Sequence, residues 1–175
     1  MMRRTLYLLL AGFLYLAMSV QVSAQTCTTA AGTISRDQTP VQLINGTATL
    51  TATPDGNAVI APGSQVLYLL TQAHVAILAV SNTPQFTVTD TGTFAILTLV
   101  YSTDPNSPDF YDVAWIHPGV TSVGHIQYSL SVQNTCADFD PIGAIFQVVQ
   151  GSFTCTADAG TIKADVANLI LANGS

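Results

Sequence analysis

The chain has 175 residues, of which 49% are hydrophobic and only 8% charged, with four basic residues against ten acidic ones. All ten acids are aspartates, and the absence of glutamate beside a single lysine argues against exposed helices, which favour both residue types. So acidic a surface repels phosphate backbones and anionic lipids, which excludes nucleic acid as a partner.

Arg3 and Arg4 open the chain, an apolar run follows from Leu6 to Val20, and Val22-Ser23-Ala24 supplies small residues at a cleavage position. That order is a secretory signal peptide over residues 1–24. The apolar run is shorter than the roughly 20 residues a bilayer needs, so cleavage, without membrane insertion afterwards, is the expectation. The residue next to Cys27 is Thr26, not the small residue that a lipoprotein anchor requires. What remains is a secreted or cell-surface chain with Arg36 and Lys163 as its only cations, long enough for one full core.

Residues 47–53 alternate Thr with Ala and Leu, the pattern of a half-buried strand, between the turn formers Asn45-Gly46 and Pro54-Asp55-Gly56. Further strands are expected at 65–71, 75–80, 85–89, 93–101 and 145–150, with His74 as a polar strand end. Asn45-Gly46-Thr47 and Asn173-Gly174-Ser175 both fit a glycosylation sequon, and both read more simply as turns entering strands.

Two strands do not alternate with polar residues. Val66, Tyr68 and Leu70 share one face of the first, with Leu67 and Leu69 on the other. Phe94 and Ile96 oppose Leu97, Leu99 and Tyr101 in the second. A solvated outer face should be polar, so something must cover these strands. The cover is expected from the long stretch 102–143, through Val113, Trp115, Ile116, Ile126, Tyr128, Leu130 and Val132. Within it, Thr121-Ser-Val-Gly-His-Ile-Gln-Tyr-Ser-Leu-Ser-Val132 reads as a short helix or as another strand.

Candidate chemistry is sparse. Asp104, Asn106, Asp109 and Asp112 crowd oxygen ligands that suit calcium, though Asp and Asn beside Pro105 and Pro108 also read as turn formers. His117 and His125 with Asp112 could ligate zinc, but no His-x-x-x-His pairing exists. No Gly-x-Ser-x-Gly elbow presents a nucleophilic serine. No cofactor is implied, and the expectation is a chain that is not an enzyme. Phe110, Tyr111 and Trp115 would form an exposed aromatic platform if the stretch bound glycan or protein, and should be buried if it is a cover.

Cys27 opens CTTAAGTI, and Cys155 opens CTADAGTI 128 positions later. Aligning 27–47 on 155–175 gives ten identities in 21 positions, which marks a true repeat. The expected organisation is a module over 25–154 and an incomplete second copy over 155–175, as in a fragment of a longer repeat protein whose neighbouring repeats are its partners.

Asp90-Thr-Gly-Thr-Phe-Ala-Ile96 resembles the Asp-x-Gly-x-Tyr-x-Cys stretch that opens strand F of immunoglobulin-like domains, with Phe94 at the corner tyrosine and Ile96 at the core cysteine. The cysteine motif, with QVLYLLTQ, FTVTDTGTFAILTLVY and CADFDPIGA, resembles the Ig-like or PKD-like repeat unit of very large secreted surface proteins of gram-negative bacteria. The resemblance spans 27–175. It implies an all-β, Ig-like sandwich with a long insertion before its last strand, and a structural or adhesive role without catalytic residues. In such a sandwich strand A begins at the pole of the F–G connection, which implies a Cys27–Cys136 disulfide worth on the order of 3–4 kcal/mol. Cys136–Cys155, or no bond, remain the alternatives.

Overall fold

The computed structural model describes residues 28–107, 109–133 and 135–151. The expected signal peptide, Cys27 and the expected second copy at 155–175, with its Ile162, Leu169 and Leu171, lie outside the described residues. In chain order the elements are β1 Ile34–Arg36, β2 Val41–Leu43, β3 Ala48–Pro54, β4 Ser64–Gln72, β5 Ala76–Ser81, β6 Gln85–Val88, β7 Gly92–Ser102, α1 Val123–Val132 and β8 Ala137–Gln150.

The strands form two sheets, ordered β1-β3-β6 and β2-β8-β7-β4-β5. Every pairing is antiparallel except β2 with β8. Among the described residues the protein is therefore all-β with one short helix, as the Thr-rich alternation predicts. In β3, Ala48, Leu50 and Ala52 are buried while Thr49 and Thr53 face solvent. Those buried residues share one core with Leu70, Phe94, Ile96 and Phe146 of the five-stranded sheet. Each large side chain so buried contributes roughly 1.5–3 kcal/mol.

β7 is buried almost from end to end because β4 and β8 flank it and both of its faces are covered. Its second face, with Leu67 and Leu69 of β4, packs against Tyr111, Ile116, Val123 and Ile126 from the β7–β8 connection. The outer apolar face is thus covered, and by the expected stretch.

The structure corrects three details. The connection ends at residue 136 rather than 143, because β8 starts at Ala137 and Asp140-Pro-Ile-Gly143 lies within it. Opposite the irregularity between Ile96 and Thr98, the Asp140 carboxylate accepts from the Ile142 and Gly143 amides at 3.0 and 3.2 Å. His74 does not start a strand; it sits in the β4–β5 turn at φ 58° and reaches the Ile142 carbonyl at 2.9 Å. Tyr128 and Val132 face solvent, 64% and 60% exposed, because their segment is helical. Among the described residues, no helix is long and apolar enough to cross a membrane.

Candidate functional site

The β7–β8 connection holds most of the chemistry that the sequence offers, so its construction decides what the site can do. Its two ends are stitched together where β7 meets β8. Ser102 donates its amide to the Cys136 carbonyl at 3.1 Å, Cys136 donates to the Asp109 carbonyl at 3.0 Å, and Tyr111 donates to the Ser102 carbonyl at 3.3 Å. The connection then runs along the free edge of β5. Gly119 donates to Ile77, Ile77 to Thr121 and Val123 to Val75, so an edge that would invite strand addition is occupied.

The helix begins where Ser122 accepts a hydrogen bond from the His125 amide, satisfying one of the donors that a helix start leaves unpaired. Val123, Ile126 and Ser129 form its buried side. The Ser129 hydroxyl accepts from the Tyr111 hydroxyl at 3.2 Å and from Gln133 at 2.9 Å. Tyr111 is fully buried, and that burial raises its phenol above the usual value of 10.0, partly offset by the bond to Ser129. Trp115 lies edge-on to Tyr111 at 6.3 Å and tilted over His125 at 5.0 Å. Thr121 ties the turn: its hydroxyl donates to the Trp115 carbonyl and accepts from the His117 amide.

The three candidate platform aromatics therefore have different fates. Tyr111 is a core residue, whereas Phe110 and Trp115 are half-buried. They do not make a flat exposed platform. Trp115 packs, partly buried, against the outer core as a cover should, and Tyr111 is the fully buried aromatic anchor beside it.

The four oxygen-bearing residues divide between two turns. Asp104 accepts from the Asn106 amide at 2.9 Å, and Asp112 separately accepts from the Ala114 amide at 2.8 Å. Asp109 takes its place through its own amide, which donates to the Ser107 hydroxyl. Among the described residues, no group of three or more His, Cys, Asp or Glu side chains is placed to hold a metal ion. The Asp112, His117 and His125 set is likewise not assembled, and His125 packs against the Trp115 ring instead. Asp104 and Asp109 do line one polar cleft of about 300 Å³, beside Gly63, Ser64 and Cys136.

Cys136 is buried, and its Sγ lies 3.4 Å from the Thr29 hydroxyl. Cys27 and Cys155, the other cysteines of the chain, lie outside the described residues.

Sequence reasoning passed over Thr98, the one polar residue in the apolar run 94–101. It is 2% exposed and its hydroxyl has no hydrogen-bond partner. That interruption of the run was the available signal. No family model matches the chain, and no curated protein or solved structure matches it either.

Proposed function

We propose that this chain is a non-catalytic structural and adhesive module of an extracellular repeat protein, built as an Ig-like β-sandwich. The observation that carries the reading is where eight of the ten repeated identities fall. Ala31 and Ile34 are buried, Gly32 has a positive φ, Thr33 binds Asp55, Asp37 accepts from Thr53, Leu43 is in the core, and Asn45-Gly46 forms a left-handed turn. The repeated positions are those the fold needs, so the copy from Cys155 has the determinants of the same module.

Strand order supports the Ig-like assignment. Taking β1, β3 and β6 as strands A, B and E, and β8, β7, β4 and β5 as G, F, C and C′, gives neighbours in the order of that sandwich, with β2 added in parallel beside β8 and no strand D among the described strands. The described chain also enters and leaves at opposite poles. Thr29 lies by Cys136, next to Ala137, which pairs with Tyr101, whereas Val148 pairs with Gly92 at the far end of β7. Copies in series would then stand head to tail, the geometry of a stalk.

The alternative reading, a carbohydrate- or protein-binding module working through residues 102–143, loses its central aromatic, because Tyr111 is committed to the core. Surface labelling tests the proposal. Antibody against residues 28–151 should stain intact cells that make the full-length protein, and brief protease treatment of those cells should remove the stain. Staining that needs permeabilised cells would sink the extracellular assignment.

A further inference from the structure

At the pole where the described chain enters, the two sheets do not close completely. Pro54, Gly56 and Ile60 on the β3–β4 side and Ala31 and Ile34 on the N-terminal side leave a cavity of about 290 Å³. Its inner wall is Val66 and Tyr68 of β4 and Thr98 of β7. The lining carries no carboxylate, amine or imidazole, and most of it is apolar. An apolar cavity of about 150 Å³ already takes up benzene, so this one has room for a larger guest.

Thr98 makes the cavity specific. A Thr hydroxyl 2% exposed, without a hydrogen-bond partner, costs about 1–3 kcal/mol unless something satisfies it. Valine has the same shape and would remove that cost, so packing alone does not account for threonine here. The β7–β8 irregularity between Ile96 and Thr98 lies beside the same position, and β8 there carries the polar Asp140 opposite Thr98 rather than another apolar residue. The end of the core nearest the entry pole is thereby left unfilled.

We infer that this cavity is a binding site for a neutral, mostly apolar small molecule with one hydrogen-bonding oxygen, which would pair with the Thr98 hydroxyl. A charged ligand is excluded by the absence of any opposite charge in the lining. Access is beside Ile60, which is 53% exposed. The site is separate from the β7–β8 connection and does not depend on the adhesive reading.

Benzyl alcohol and toluene test it, because they share a ring and differ by the hydroxyl. Titrated into the full-length secreted protein and followed by methyl NMR, both should shift Ala31, Ile34 and Val66. Thr98→Val should weaken benzyl alcohol about five-fold, the worth of one hydrogen bond, and leave toluene within two-fold. The same variant should melt at or above the wild-type temperature in the absence of probe. Val66→Phe, which fills the cavity, should abolish both sets of shifts. The inference is overturned if neither probe binds, if Thr98→Val weakens both equally, or if Val66→Phe leaves binding intact. A loss of melting temperature in Thr98→Val would also overturn it, because the hydroxyl would then serve the fold itself.

Discussion

Tyr111 does more for this protein than the single tryptophan does. Its ring is fully buried in the outer core, and its hydroxyl is tied to Ser129, whereas Trp115 is half-buried between Tyr111 and His125. Removing a fully buried aromatic side chain typically costs about 3–5 kcal/mol. Tyr111→Ala should therefore lower stability by that amount in urea unfolding, and Trp115→Ala by clearly less. Equal losses would mean that Trp115 is as enclosed as Tyr111. The phenol also makes a prediction about pH. Burial raises it above 10.0 in the folded state, so the unfolded chain ionises first and the folded state is penalised only in alkali. Its stabilising contribution is complete below pH 10 and is lost as pH rises from there through the raised folded value. The urea midpoint should fall as pH rises above 10, and less steeply in Tyr111→Phe. Tyr68 and Tyr101 are shifted the same way by burial, so the slope of that variant should shrink without vanishing.

At the scale of elements, β8 and α1 separate what periodicity can read from what it cannot. Ile126, Tyr128, Leu130 and Val132 alternate as in a strand, and that spacing put all four on the covering face. The helix instead buries Val123, Ile126 and Ser129, the last a polar residue whose partners, Tyr111 and Gln133, are set by tertiary contact. Alternation was reliable in β3, whose buried face matches its sequence pattern, and the apolar runs of β4 and β7, which do not alternate, are indeed covered on both faces. It failed at Asp140-Pro-Ile-Gly143, because an Asp-Pro-x-Gly string has turn chemistry whether it ends a strand or bulges one. β1 and β2 were missed because three residues are too few for a period to show. The Asp and Asn residues of the candidate calcium set were legible as residue types, but only the fold shows that they cap two different turns. Gly143 tests the bulge. It holds φ 58°, and a Cβ there would run into the Ile96 carbonyl oxygen and the Leu97 side chain. Gly143→Ala should thus destabilise by more than about 1 kcal/mol in denaturant melts, beyond the cost of the backbone angle alone. A neutral result would mean that β8 can flatten without loss.

For the whole molecule, the length of β7 decides which cysteine can close the entry pole. Tyr101 pairs with Ala137 and Gly92 with Val148, so those ends of β8 are separated by nine residues of β7, roughly 30 Å. Gly151 lies farther out still, past the pairing of β8 with β2. Cys155 is four residues beyond Gly151, and four residues span at most about 14 Å. Since bonded cysteines need their Cα atoms within about 7 Å, that reach falls short of Cys136. Cys27 is only two residues from Thr29, whose hydroxyl touches the Cys136 sulfur. We therefore propose the Cys27–Cys136 pairing, which ties the entering chain to the start of β8 and clamps the covering connection at its end. Cleavage before aspartates without reduction should release a Cys27–Cys136 linked peptide from the purified protein, with the mass of the pair minus two hydrogens. Replacing Cys27 by Ser should lower stability by about 2–5 kcal/mol, the usual cost of losing such a bond. Recovery of an intramolecular Cys136–Cys155 peptide would contradict the distance argument, and with it the placement of the two poles.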